Sequence, residues 1–382
     1  MLNNKLRMAI RSTAAVAILG VATQASAVEF GSGGYEANLY GFARILAAYD
    51  IDEEISNGGR AGNFSKITPG NGNTADGHFG MDANTSRLGV SVMTPEDVKM
   101  VVEFDFDGSG GLDPRLRHAY GEYNGVRIGR YWSNYNTWVG NTANLDFDGV
   151  PGLGGTQDRT EQITYMSGPL SFSLENPRDY GGVAGSGSTA ITSSPALTAK
   201  FEDSQGGVSY SVGVMAKQTG YDTGTNDDSA MGYAGFLAGK IAITDMISIQ
   251  GAINFADGAN AYVYRAGSNF GGPDAYVGAN GDVETIEAYG GALGASFGLG
   301  GGRSVNVGYG MATQDLDDAA TTAGTGIDGG STDTNTAMYV NYMWAPVKHV
   351  SMGVQFENLE TETQGGADGD ANRLMYLAQY SF

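Results

Sequence analysis

Beyond residue 27 the chain alternates apolar with polar or small residues at a period of two, and helical spacing is nearly absent. Val208, Tyr210, Val212 and Val214 alternate with Ser209, Ser211, Gly213 and Met215, and Ile247, Ile249, Gly251, Ile253 and Phe255 with Ser248, Gln250, Ala252 and Asn254. Val305, Val307, Tyr309 and Met311, and later Val350, Met352, Val354 and Phe356, repeat the pattern. Successive side chains of a strand point to opposite faces, so these segments are strands that meet two unlike surroundings. Sixteen can be marked, beginning near residues 36, 84, 97, 115, 125, 160, 169, 196, 207, 231, 246, 283, 303, 335, 349 and 371.

The links alternate long and short. Thr94-Pro95-Glu96, Asn124-Gly125, Ser167-Gly168, Ser204 to Gly206, Thr244-Asp245, Gly298 to Gly302 and Ala345 to Lys348 are short, whereas GYDTGTNDDSA at 220–230 and the stretch from Gln314 to Asp333 are long and rich in Gly, Asn, Asp and Thr. An even number of strands with short turns at one end and long loops at the other is the layout of a transmembrane barrel. Strands of this length cross a bilayer when tilted, and closure leaves no backbone edge in lipid. The expected fold is all-β: one antiparallel sixteen-stranded transmembrane β-barrel whose last strand, RLMYLAQYSF, pairs with the first, YEANLYGFARILAAY. Tyr49, Tyr123, Trp132, Tyr165, Tyr289, Tyr342, Trp344 and Tyr380 fall near strand ends, as an interfacial aromatic belt requires.

Composition without this periodicity would suggest a soluble secreted protein. Lys5, Arg7 and Arg11 precede a short apolar run, Thr13 to Ala22, and Ala25-Ser26-Ala27 is a small-x-small cleavage site, so 1–27 reads as a cleaved signal peptide. The remaining domain, 28–382, carries 18 Lys and Arg against 42 Asp and Glu, a balance of −24 that argues against nucleic acid as a partner. There is no cysteine, so no disulfide or thiolate site, and no metal or cofactor site is expected.

What such a barrel passes depends on its lumen. The third long link, Trp132 to Asp158, carries Trp138, Phe147 and Leu153, apolar residues that an exposed loop does not need, and is expected to fold into the barrel and set its bore. Eight of the twelve arginines after residue 27 precede residue 160. Arg44, Arg87, Arg117, Arg130 and Arg159 are the candidate anion-binding constriction, opposed by Asp146 and Asp148 of the link beside Trp138. Alternation puts Arg87 and Ser91 inside with Lys99, Glu103 and Asp105; Arg44 shares its side with Tyr40 and Phe42, and placing Arg117 inside sends His118 outside. The acids Asp50, Asp52, Glu53, Glu54, Asp227, Asp228, Asp315, Asp317 and Asp318 read as a solvated outer rim, with divalent bridging to lipopolysaccharide as the functional alternative.

Three literal motifs lack their context. GTGIDG at 324–329 has no βαβ unit around it, GASFG at 294–298 has no helix after Ser296, and DFDGSGGLD at 105–113 puts Leu116 where a calcium loop needs Glu. The histidines, His78, His118 and His349, fall at different depths, which disfavours an outer-membrane barrel enzyme of lipase or protease type, and a soluble adhesin-like protein has only acidity and glycine in its favour.

NTSRLGVSVMTPEDVKMVVEFDF at 84–106 and LRHAYGEYNGVRIGRYWSNY at 116–135, with YGFARILAAYD near the start and the terminal Phe382, resemble the DcaP-like trimeric porins of Gram-negative outer membranes. The resemblance implies a homotrimer of sixteen-stranded barrels, an infolded third loop, an arginine-lined constriction and passive uptake of small hydrophilic solutes, preferably dicarboxylate-like anions. It also implies that the terminal aromatic is read by the barrel-assembly machinery. Only Val28 to Gly34 precede the first strand, where members of the family can carry a coiled coil, so a trimer here would rest on barrel contacts. A general diffusion porin shares the arginine ladder and is the alternative.

Overall fold

The computed structural model describes residues 28–70, 77–108, 112–179, 181–187 and 189–382; the signal segment 1–27 lies outside them. Sixteen strands form one antiparallel barrel: β1 (Glu36–Asp50), β2 (His78–Asp82, resumed at Arg87–Met93), β3 (Lys99–Asp105), β4 (Arg115–Tyr123), β5 (Val126–Trp132), β6 (Arg159–Ser167), β7 (Leu170–Glu175), β8 (Ala196–Gln205), β9 (Val208–Asp222), β10 (Asp227–Ala242), β11 (Ile247–Asp257), β12 (Glu287–Gly300), β13 (Arg303–Gln314), β14 (Thr332–Trp344), β15 (Val350–Thr363) and β16 (Asp368–Ser381). Each pairs with its chain neighbours, and the sheet closes where β1 meets β16, from Phe42 opposite Ser381 to Asp50 opposite Arg373. Phe382 seals the seam, exchanging backbone hydrogen bonds with Gly41 at 3.3 and 3.1 Å. A short strand at Val28–Phe30 takes the edge of β1 that β16 leaves, pairing with residues 37–39.

Burial is the reverse of a soluble sandwich. Along β6 and β7, Ile163, Tyr165, Phe172 and Leu174 are exposed while Thr160, Gln162, Thr164, Ser171 and Ser173 are buried. Ile253 (63% exposed) flanks a buried Asn254 on β11, and Val354 and Phe356 flank a buried Gln355 on β15. An apolar exterior around a polar interior is what hydrocarbon outside and water inside select. Among the described residues no helix is long and apolar enough to cross a membrane.

Turn chemistry fixes the hairpins. Asn124 and Gly125 have φ of 47° and 80°, the left-handed pair of a two-residue turn that matches strand twist. One expected long loop is short: β9 and β10 run on to Asp222 and from Asp227, pairing Tyr221 with Asp228 beyond the belt, so only Thr223–Asn226 turn. Above the barrel the links at 176–195 and 258–286 share a small sheet, Val183–Ala184 with Ala275–Val277 and Val283–Thr285, and the link at 315–331 adds Leu316 and Ala319 to its core of Tyr276 and Ile286. The buried Lys217–Asp274 pair fastens it to β9.

Candidate functional site

The link 133–158 leaves β5 and is bonded to the polar faces of strands far away in sequence. Its root is held by Glu175, buried on β7, which accepts from Ser133 Oγ (2.6 Å), Asn134 N (2.7 Å), Thr160 Oγ1 (2.9 Å) and Thr198 Oγ1 (3.2 Å). Inward amides then read its backbone. Asn254 Nδ2 donates to the carbonyls of Gly152 (2.8 Å) and Leu153 (3.1 Å), and Asn341 Nδ2 to that of Ala143 (2.8 Å). Gln355 Oε1 accepts from Leu145 N at 3.0 Å, and Gln250 Nε2 donates to Thr142 Oγ1 at 2.7 Å. Room for the link comes from small residues on the wall it meets: Tyr135 and Val139 pack with Ala234, Ala238, Ala252, Ala288 and Ala312. Gly152, at φ 71°, passes so close to Gly291 and Met311 that a β-carbon would meet their backbones.

Across from this wall, β1 to β6 bring arginines together. Arg87 pairs with Glu103 at 3.3 Å, Arg117 with Glu103 at 3.0 Å and Asp105 at 2.9 Å, and Arg115 with Asp105 at 2.7 Å and Asp107 at 3.2 Å. Two guanidiniums differ. Arg44 donates Nε to Gln379 Oε1 (2.8 Å) and stands 4.5 Å from the Phe42 ring centroid; Arg159 lies 4.5 Å over the Trp132 ring. Among the described residues neither has a carboxylate within ion-pair distance, and Asp158, beside Arg159, pairs with Arg178 at 2.8 Å. Three guanidiniums, of Arg87, Arg115 and Arg117, are thus paired with Glu103, Asp105 and Asp107, and those of Arg44 and Arg159 are surplus to these pairs. Both surplus side chains rest on aromatic faces, which favour a cation.

Several sequence expectations are corrected. Arg130 is not on this wall. It shares the outward face of β5 with exposed Val126 and Ile128 and pairs with Glu161 at 2.5 Å, while Arg127 faces inward onto Tyr131 at 3.9 Å. His118 is not outside. A bulge pairs Glu103 with His118 and Phe104 with Leu116, leaving Arg117 as the extra residue, so both Arg117 and His118 are buried, with His118 against Tyr131 (5.0 Å) and Trp132 (5.8 Å). Trp132 is not part of the outer belt: it meets Trp138 edge-on at 4.8 Å, which brings Trp138 to the foot of the arginine wall.

Asp146 is not opposite the arginines. It is buried, accepting from Gly62 N at 2.7 Å and from Asp148 N at 2.8 Å, with Arg373 at 3.5 Å. Asp148 is the acid that acts across toward Arg115 and Arg265. Burial, with Asp146 and Asp107 nearby, pushes its carboxyl up to about 7 despite those two arginines. The front of the calcium-like stretch is likewise committed, Asp105 to Arg115 and Arg117, and among the described residues no trio of metal-ligating side chains assembles.

Arg265, in the link 258–286, went unnoticed in sequence. It is buried, donates to the carbonyls of Gly62 and Gly149 and to Asn269 Oδ1 (2.9 Å), and stacks 4.4 Å from the Phe64 ring centroid. It thereby ties the first, third and sixth long links together. Its only local sign is an arginine in a link otherwise lacking cations. Gln250, Asn254, Asn341 and Gln355 did leave a trace, as uncharged amides on the polar face of their strands.

No protein-family model and no curated protein sequence matches the chain. Among solved structures it is similar to the outer membrane channel DcaP of Acinetobacter baumannii, with a TM-score of 0.80 and 27% identity over 92% of this chain and 99% of that one. An anion-selective porin from Comamonas acidovorans (TM-score 0.56, 14% identity, 91% of this chain and 100% of that one) and Salmonella typhi OmpF in complex with daunomycin (0.51, 12%, 93% and 100%) share the fold. OmpT of Vibrio cholerae, described also in a trimer form, does so at 0.54 and 15% identity, over 91% of this chain and 100% of that one.

Proposed function

We propose, from the premise that the chain is a DcaP-like porin of the outer membrane, that it passes small hydrophilic anions by diffusion and favours dicarboxylate-like ones. In this reading the link 133–158 lies in the lumen and sets the bore, and Arg44 and Arg159 are the charges a passing anion meets. The observation that carries it is their lack of carboxylate partners beside a ladder in which Arg87, Arg115 and Arg117 are already paired. Guanidinium grips carboxylate in a bidentate way, and two surplus charges suit a solute carrying two. The anion-selective porin among the neighbours is consistent with this direction at the level of fold.

Reversal potentials across a salt gradient test it. Arg44→Ala with Arg159→Ala should abolish the anion bias, while Arg130→Ala, on the outer face, should leave it. An unselective wild-type current would favour the general diffusion reading. Blocking of single-channel current by succinate, and not by a neutral solute of its size, checks the dicarboxylate preference. Homotrimer assembly is part of the proposal, supported by the trimer form of a neighbour; a heat-modifiable band at three times the monomer mass tests it. Purified protein should resist labelling by serine-reactive probes, whereas labelling would revive the enzyme reading.

A further inference from the structure

The link 258–286 has two parts. Its second half, 273–286, belongs to the small sheet above the barrel, whereas 261–272 leaves that sheet and returns to it at one place. There Asn260 Nδ2 donates to the Pro273 carbonyl at 2.8 Å, and Ala261 N to Asp274 Oδ1 at 3.2 Å. This neck is fixed to the wall, because Lys217 of β9 pairs with Asp274 and donates to the Arg178 carbonyl at 2.8 Å. Loops ordinarily run over the surface, where water serves their backbone groups. Here Asn260 to Gly267 are buried without a break, Tyr262, Tyr264 and Arg265 among them.

The partners that bury the segment come from the inward faces of strands. Asn335 of β14, held by Thr361 Oγ1 at 2.9 Å, donates Nδ2 to the carbonyls of Arg265 (2.9 Å) and Gly267 (2.6 Å). Tyr264 shares a buried cluster with Ala337 of β14, Leu359 of β15 and Ala371 of β16. The tip then meets the link 133–158. Tyr264 Oη donates to the Asp148 carbonyl at 2.6 Å, Gly152 N donates to the Tyr264 carbonyl at 2.9 Å, and Arg265 donates to the carbonyl of Gly149. Both links are thus fastened to each other and to the half of the wall that faces the arginines of β1 to β6.

We propose that 261–272 is a second infolded element, stacked on the link 133–158, and that the two together set the bore and confine a solute to the side of Arg44 and Arg159. The proposal rests on the reading of the chain as a porin whose third long link narrows the lumen. Arg265 is the positioning residue that fixes the tip. Glu175, Gln250, Asn254, Asn341 and Gln355 hold the link 133–158 without its help, so taking the second element away should widen the path while the third link stays.

The experiment excises 261–272, joining Asn260 to Pro273 through a diglycine, as the closed neck permits. It reads single-channel conductance and the entry of neutral oligosaccharides of graded length into liposomes. The excised barrel should conduct more and admit oligosaccharides that the wild type excludes, with the link 133–158 still resistant to protease. The chain has no cysteine, so Ser268→Cys, at an exposed position of the segment, places a single thiol there. Its modification by a methanethiosulfonate reagent should lower the current in steps, and reduction should restore it. An unchanged exclusion limit in the excised barrel, or a thiol whose modification fails or leaves the current as it was, would overturn the second element. If the excised protein does not fold, or its link 133–158 is cut, the thiol decides alone. Gly152→Val that frees the link 133–158 to protease without widening the pore would remove the reading of that link as bore-setting, and would leave the excision and the thiol to decide this one.

Discussion

Arg117 and Arg159 carry the same charge and do different work. Arg117 is buried between Glu103 and Asp105, so replacing it by Ala takes one of two guanidiniums from each, leaving Glu103 to Arg87 and Asp105 to Arg115, and should cost about 1–3 kcal/mol, read as a lower denaturant midpoint in detergent. Arg159 pairs with no carboxylate among the described residues, so Arg159→Ala should cost at most about 1 kcal/mol of stability and show itself in selectivity. Asp148 gives a pH dependence. Its carboxyl, raised to about 7, is mostly neutral below that pH and charged above it, so anion bias should grow as pH falls through 7. The same sign holds for stability: the folded protein binds the proton more tightly than the unfolded chain, so this stabilising term is present at low pH and lost as pH rises through 7. Asp148→Asn should flatten the selectivity profile at its acid-side value; a persisting titration would assign it to another group. Among these residues, alternation alone was enough to turn Arg87 inward, and the same rule applied to Val126 and Ile128 would have sent Arg130 outward.

The link 133–158 stays where it is because glycines let it approach and amides hold it. Gly152→Val adds a branched side chain at a positive φ where the backbones of Gly291 and Met311 already touch, so the link should lift from the wall. Proteolysis from outside should then cut within 133–158 in the variant and spare the wild type. Among the strands, boundaries were legible because period-two patterning begins and ends with them. β9 and β10 were read short because Tyr221, Asp222, Asp227 and Asp228 look like loop residues; above the membrane a hairpin can continue with polar side chains on both faces. The bulge in β4 was not legible, since one extra residue shifts every later side chain without changing composition.

At the scale of the whole barrel, closure is the condition for survival in lipid. Tyr376, on β16, pairs with Ala47 of β1 and Val354 of β15, so Tyr376→Pro removes a ladder donor where there is no water to replace its partner. The folded, heat-modifiable species should be lost; unimpaired assembly would mean that the seam tolerates a gap.

The sequence by itself determined the architecture, because an exterior of hydrocarbon and an interior of water impose the alternation on every crossing strand, and the alternation can be counted. It also pointed to the arginine-rich stretch before residue 160 and to an apolar long link after β5. Only the tertiary structure decided which arginines are compensated, that Asp146 is tied to Arg373 rather than facing them, and that Arg265 joins three links. Those outcomes depend on partners hundreds of residues apart, brought together by a closed sheet, and no local pattern records a distance of that kind.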